Sequence, residues 1–141
     1  ENAEALAGLA RVYLESGNME GAAEIISSAP EALQNHPEIV AIKASLTLTE
    51  DAPEPDETVE LLAKVEASPD DLDARLELAK ALAATGKNAE AVDHLLYSIA
   101  KNRAHDDEAA RLFLLTIFEA EGVESEVSKD GRRRLSSILF A

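Results

Sequence analysis

Apolar side chains recur at three- and four-residue intervals along most of the chain, the period of helices that bury one face. Glycines at 17, 86 and 122 and the Pro53-Glu54-Pro55 run interrupt that period. Between the interruptions the pattern repeats itself. Residues 9–22, LARVYLESGNMEGA, superpose on residues 78–91, LAKALAATGKNAEA, with Leu9/Leu78, Ala10/Ala79, Gly17/Gly86 and Ala22/Ala91 coincident. The offset of 69 residues is twice a unit of 34–35, so further copies are expected between and beyond the two phrases. EIVAIKASLTL (38–48), apolar on more than one face, followed by ETVELLAKV (57–65), supplies one. RLFLLTIFEAE (111–121), ending at Gly122, supplies another.

Four units follow, at about 3–37, 38–71, 72–107 and 108–141, each a pair of antiparallel helices around a turn. The prediction is eight helices, no strand and a single domain, stacked as an all-α superhelical solenoid. Gly17 and Gly86 suit the left-handed residue that ends a helix. Ser68-Pro69-Asp70-Asp71 reads as a helix start with Ser68 as cap and Pro69 in the first turn. Asp106 and Asp107 read as the start of the next helix pair. Ala10 against Ala22, and Ala79 against Ala91, allow the helices of a pair to approach closely. Tyr13, Leu82, Ile26 and Leu95 fill the space left beside them. Such short pairs cannot bury an apolar face alone, so neighbours must stack on them.

This pattern resembles the tetratricopeptide (TPR) repeat, a helix-turn-helix with Leu, a small residue, Tyr or Leu, Gly and Ala at set spacings. The second unit departs from it, with Pro53-Glu54-Pro55 where a glycine turn belongs. So does the fourth, where Gly131 replaces the bulky residue that the other units carry as Ile26, Leu61 and Leu95. A narrower resemblance covers residues 66–141. SPDDLDARLELAKALAATGKNAEAVDHLLYSIAKNRAHDDEAARLFLLTIFEAEG, closing with RRRLSSILF, is similar to the C-terminal half of bacterial thioredoxin–TPR co-chaperones, the chaperedoxin family. That resemblance implies a cytoplasmic holdase that shields unfolding proteins in oxidative stress and passes them to the chaperonin or Hsp70 system. It also implies a thioredoxin-like domain upstream of residue 1. The family's redox residues have no counterpart in this sequence.

Composition narrows the function classes. Aromatics are 4% of residues, and alanine and leucine dominate, which favours helix. No apolar run approaches the ~18 residues that span a bilayer. The absence of cysteine excludes disulfides, zinc–thiolate sites and a thiol nucleophile, and agrees with a cytoplasmic setting. A net charge of −15 argues against nucleic acid as partner. The charge is uneven: residues 1–70 hold 15 acidic and 3 basic side chains, residues 71–141 hold 13 and 10. The acidic half serves solubility, or steers a basic partner.

Catalytic chemistry finds no constellation. His36 precedes Pro37 in a turn, and His94 reads as solvated helix surface. His105 beside Asp106-Asp107 lacks the second histidine that a metal site would need at helical spacing. There is no glycine-rich phosphate loop and no serine with a histidine base. No catalytic, metal or cofactor residue is assigned, and no small-molecule substrate is evident.

Two surfaces are candidate protein-binding sites. The first helix of each pair lines the concave face, which places Ala7, Arg11, Leu14, Ile39, Ile42, Leu46, Leu76 and Lys80 there. The lining is aliphatic with few cations, so an apolar groove is expected rather than a carboxylate clamp. The alternative is that these aliphatics pack against neighbouring helices or a preceding domain. The second surface is the last helix, with Arg132, Arg133, Leu135, Ile138, Leu139 and Phe140. It either caps the stack or anchors in a partner's groove. The functional expectation is a non-catalytic interaction module of a thioredoxin-linked holdase, its partners being unfolding clients, the chaperonin or Hsp70 system and its own upstream domain. The alternative is a generic TPR scaffold for another complex.

Overall fold

The computed structural model describes residues 2–50 and 52–140. Among them are eight α-helices: α1 (Ala3–Glu15), α2 (Met19–Ser27), α3 (Pro37–Glu50), α4 (Pro55–Ala67), α5 (Leu72–Ala84), α6 (Asn88–Lys101), α7 (Ala109–Glu121) and α8 (Glu126–Leu139). The only other regular elements among the described residues are short 3₁₀ turns at Glu31–Leu33 and His105–Glu108. The all-helical stack expected of the repeats is what forms.

The two copies of the repeated phrase end their first helices identically. Asn18 N–H donates to the Tyr13 carbonyl (2.8 Å) and Gly17 N–H to Leu14 (3.0 Å). In the second copy Lys87 donates to Leu82 (2.9 Å) and Gly86 to Ala83 (3.1 Å). This is the Schellman arrangement, and it requires a left-handed residue at the glycine. Gly17 and Gly86 supply it at φ 84° and 83°. Beyond the turn, Ala10 and Ala22 are fully buried in one core and Ala79 and Ala91 in another, where the pairs α1–α2 and α5–α6 close on each other.

Between these pairs the packing departs from a regular array. Helix α3 lies against α1, α2, α5 and α7, whereas α4 packs on α5. The helices of the expected second unit are thus separated, although they are consecutive in the chain. The cause is visible in α3 itself. Ile39 and Ile42 enter the core of α1 and α2, while Leu48 enters the core of α5–α8 with Leu76, Ala79, Leu114 and Ile117. A helix buried on two sides has no single apolar stripe, which is why residues 38–48 show a mixed pattern.

Start signals shift by one turn at α5. Ser68 ends α4, and Asp71 caps α5 by accepting from Ala74 N–H at 3.1 Å. Both residues are cap formers three positions apart. Asp71 precedes the buried run of α5, and Pro69 is left in the linker, where its carbonyl has another use. Asp106 and Asp107 do not start a helix either: with Glu108 they adopt positive φ (49°, 56° and 64°), and α7 begins at Ala109. No helix among the described residues is long and apolar enough to cross a membrane.

Candidate protein-binding surfaces

Helices α5 and α7 are the first helices of the expected third and fourth units, and α3 lies against both. The inner face is therefore largely filled by the chain's own helix. Of the residues expected to line an open groove, Ala7, Ile39 and Ile42 are buried in the N-terminal core and Leu76 in the C-terminal one. Leu14 and Leu46 are half-buried against the N-terminal core. Stacking neighbours cover these positions, in line with the alternative that the aliphatics pack against neighbouring helices.

What stays open is smaller. A depression of about 300 Å³ between α3, α5 and α7 is lined by Thr47, Leu48, Lys80, Leu112, Phe113 and Thr116. Leu112 is 56% exposed at its rim. The cations near the inner face are engaged within the chain. Arg11 is 3.8 Å from Glu38, Lys80 is 3.4 Å from Glu77, and Lys43 donates to the Gln34 carbonyl at 3.2 Å.

Helix α8 turns its apolar stripe inward. Leu135 is buried, and Ile138 and Leu139 are half-buried against α6 and α7. Of the two readings of the last helix, this burial favours the cap for these three positions. Arg132, Arg133 and Phe140 remain exposed, Phe140 at 84%. Arg133 pairs with Asp130, while Arg132 donates to the Val123 carbonyl at 2.9 Å. Arg134 bridges α8 to α6 through Asp93 at 2.8 Å, and this bond holds its guanidinium pKa above the ordinary value.

A polar joint on the α4–α6 side was not legible in the sequence. Arg75 is 8% exposed, yet no carboxylate pairs with it among the described residues. Its Nε and Nη2 donate to the Pro69 carbonyl at 3.0 and 2.7 Å, and its plane lies 3.7 Å from the Tyr97 ring centroid. Its Nη1 is 3.0 Å from His94 Nδ1. Guanidinium can only donate, so Nδ1 accepts and neutral His94 carries its proton on Nε2. Burial, and then the Arg75 charge, lower the His94 pKa, opposed by Asp93 and Glu90. His94 is thus a half-buried acceptor, not solvated surface. Tyr97 closes the joint by donating to Asp70 at 2.5 Å, which lowers the Asp70 pKa and raises that of Tyr97.

The other histidines act locally. His36 Nδ1 accepts from Glu38 N–H (3.2 Å) at the start of α3, and His105 Nε2 donates to Asp73 (2.8 Å). Among the described residues no three His, Asp or Glu side chains converge on a point that could hold a metal.

A tetratricopeptide-repeat model matches residues 50–140, and a second one matches residues 1–46. The chain belongs to the tetratricopeptide repeat family. The two TPR matches part at residues 46–50, the end of α3, so the family match groups α3 with α1–α2, whereas in the packing α3 also lies along α7 and α5. The TPR fold is shared by a crystal structure of a domain of protein VP0806 from Vibrio parahaemolyticus, a protein of unknown function. It is 26% identical with a TM-score of 0.54, over 97% of this chain and 80% of that one. No curated protein matches. TPR domains are in general non-catalytic modules that bind other proteins through the surfaces their stacked helices create.

Proposed function

We propose that this TPR domain is the protein-binding part of a thioredoxin-linked holdase that receives apolar segments of unfolding clients. Support comes from the resemblance of residues 66–141 to that co-chaperone family. The observation that carries the reading is the open depression between α3, α5 and α7, where Leu112 and Phe113 stand beside the buried Leu48. An apolar floor with one lysine at its edge suits aliphatic or aromatic side chains of extended chain more than a terminal carboxylate. On this reading the chain is a cytoplasmic module of four units that works with an upstream domain. It delivers clients to the chaperonin or Hsp70 system.

Light scattering from a heat-denaturing client tests this. The chain is expected to slow aggregation in proportion to its concentration, and Leu112→Asp, at an exposed position, is expected to abolish the effect while leaving the helical signal intact. A chain that leaves aggregation unchanged, alone and with the upstream domain attached, overturns the reading. A second reading, a scaffold for one fixed complex, is favoured by the small size of the depression. Saturable one-to-one binding to a single folded partner would distinguish it.

A further inference from the structure

The departure of α3 from α4 leaves a consequence at the other side of α4. Where a regular pair would lay α3 along α4, the main cover among the described residues is α5, against Leu61 and Val65. Its outward face carries Val59 (72% exposed), Leu62 (46%), Ala63 and Ala67, a narrow apolar seam with small residues. Asp56, Glu57, Glu60 and Glu66 surround the seam with one exposed lysine, Lys64, and none of the four acids makes an ion pair among the described residues. Small residues permit close helix approach, as they do at Ala10 and Ala22, while four unpaired acids repel any anionic surface.

The opposite end of the same run of helices carries the reverse pattern. The outward face of α8 presents Lys129, Arg132, Arg133 and Ser136, with Phe140 just past its end on the same side; Lys129 pairs with Glu124 and Arg133 with Asp130, both at the exposed surface. Four of the chain's 13 basic residues lie on α8. Arg132 has no carboxylate partner among the described residues, and Phe140 is the most exposed large apolar side chain.

We propose that α4 of one molecule docks on α8 of a second copy, so that the protein associates head to tail. The two faces match in kind: an apolar seam framed by acids against an aromatic side chain framed by arginines. Neither face suits itself, since α4 on α4 sets acid against acid and α8 on α8 sets base against base. The contact is accordingly heterologous, joining different patches of identical chains, and it extends into a series unless the rotation closes a ring. In a molecule of net charge −15, it is the one arrangement that brings its basic face to its most acidic helix. Complementary charge of this kind sets register and encounter rate more than affinity, which the buried seam and Phe140 supply.

Sedimentation velocity of the whole chain tests the proposal. The weight-average sedimentation coefficient is expected to rise with protein concentration, and the rise to shrink in high salt as the charges are screened. R132E/R133E on α8 and E60K/E66K on α4 are each expected to weaken association about tenfold or more, as like charges meet. The chain carrying all four substitutions is expected to associate again, because the complementarity is restored with its sign reversed. All four positions are exposed, and circular dichroism confirms that each variant stays helical. A chain that sediments as a monomer at every concentration overturns the proposal. So do association indifferent to both charge reversals, a folded four-fold variant that fails to recover, and an unrelated protein that occupies α4 while the chain stays monomeric.

Discussion

The ring of Phe118 on α7 fills the space that a Cβ on Gly131 of α8 would need. A methyl built there would sit 2.5 Å from Phe118 Cε1 and 2.7 Å from Cζ. Gly131 is buried, and Phe118 belongs to the same core. Where Ile26 and Leu95 stand at the matching place of the other repeats, Gly131 leaves room that the Phe118 ring takes up. In an exposed helix Gly→Ala would stabilise by about 1 kcal/mol. Here the overlap outweighs that gain, and Gly131→Ala is expected to destabilise by about 1–3 kcal/mol net, seen as a lower denaturant midpoint. An unchanged or higher midpoint would show that the ring yields freely.

Gly131 also shows how far local pattern reaches. The turn at Gly17 and the one at Gly86 could be read directly, because a left-handed helix end and a close alanine contact are both local demands written in adjacent residues. The glycine at 131 could be noticed as a departure but not resolved, since the ring that takes up its room is 13 positions away on another helix. Helix α3 posed the same difficulty on a larger scale. Its apolar positions announce burial on two sides, yet nothing within residues 38–48 says that the second side meets α5 and α7 rather than α4. The same gap leaves the groove residues open between two readings: Ile39, Ile42 and Leu76 face inward by their periodicity, and only the packing shows that the chain's own helices cover them. Arg75 and His94 were missed because a polar pair 19 positions apart leaves no periodic trace.

The Arg75–His94 pair makes folding sensitive to acid. The His94 pKa is lowered in the folded protein from its ordinary value of 6.5, first by burial and then by the Arg75 charge. The unfolded chain thus binds more protons in the window just below that value. His94 consequently contributes full stability above about pH 6.5 and loses it progressively as pH falls through the window to the folded pKa. His94→Gln keeps an acceptor for the guanidinium and removes the titration. Unfolding free energy measured against pH is expected to fall more steeply between neutral and mildly acid pH in the natural protein than in the variant. Superimposable curves would show that His94 does not report on the joint.

Ser98 on α6 is 1% exposed, and its Oγ has no hydrogen-bond partner among the described residues. A buried hydroxyl without a partner carries its desolvation cost uncompensated. Alanine removes the oxygen, leaves almost the same volume and prefers the helix. Ser98→Ala is expected to raise the unfolding free energy by about 1 kcal/mol. A destabilised variant in chemical denaturation would mean that the hydroxyl is bonded in solution.

The linker before α7 holds the least favourable backbone in the described chain. Asp106, Asp107 and Glu108 are its non-glycine residues with positive φ. His105 immediately before them is tethered to Asp73 on α5, and α7 follows immediately after, so the turn is held at both ends. Aspartate visits this region tolerably, whereas a longer side chain pays about 1–2 kcal/mol against the following carbonyl. Glu108, at φ 64° and exposed, makes no ion pair among the described residues that its removal would cost. Glycine relieves the clash but has more freedom to lose on folding. The balance for Glu108→Gly is a stabilisation of about 0.5–1 kcal/mol. Pro in the same place would lock φ near −65° and is expected to unseat the start of α7. Equal denaturation midpoints for the two variants would show that the turn adopts an ordinary right-handed conformation in solution.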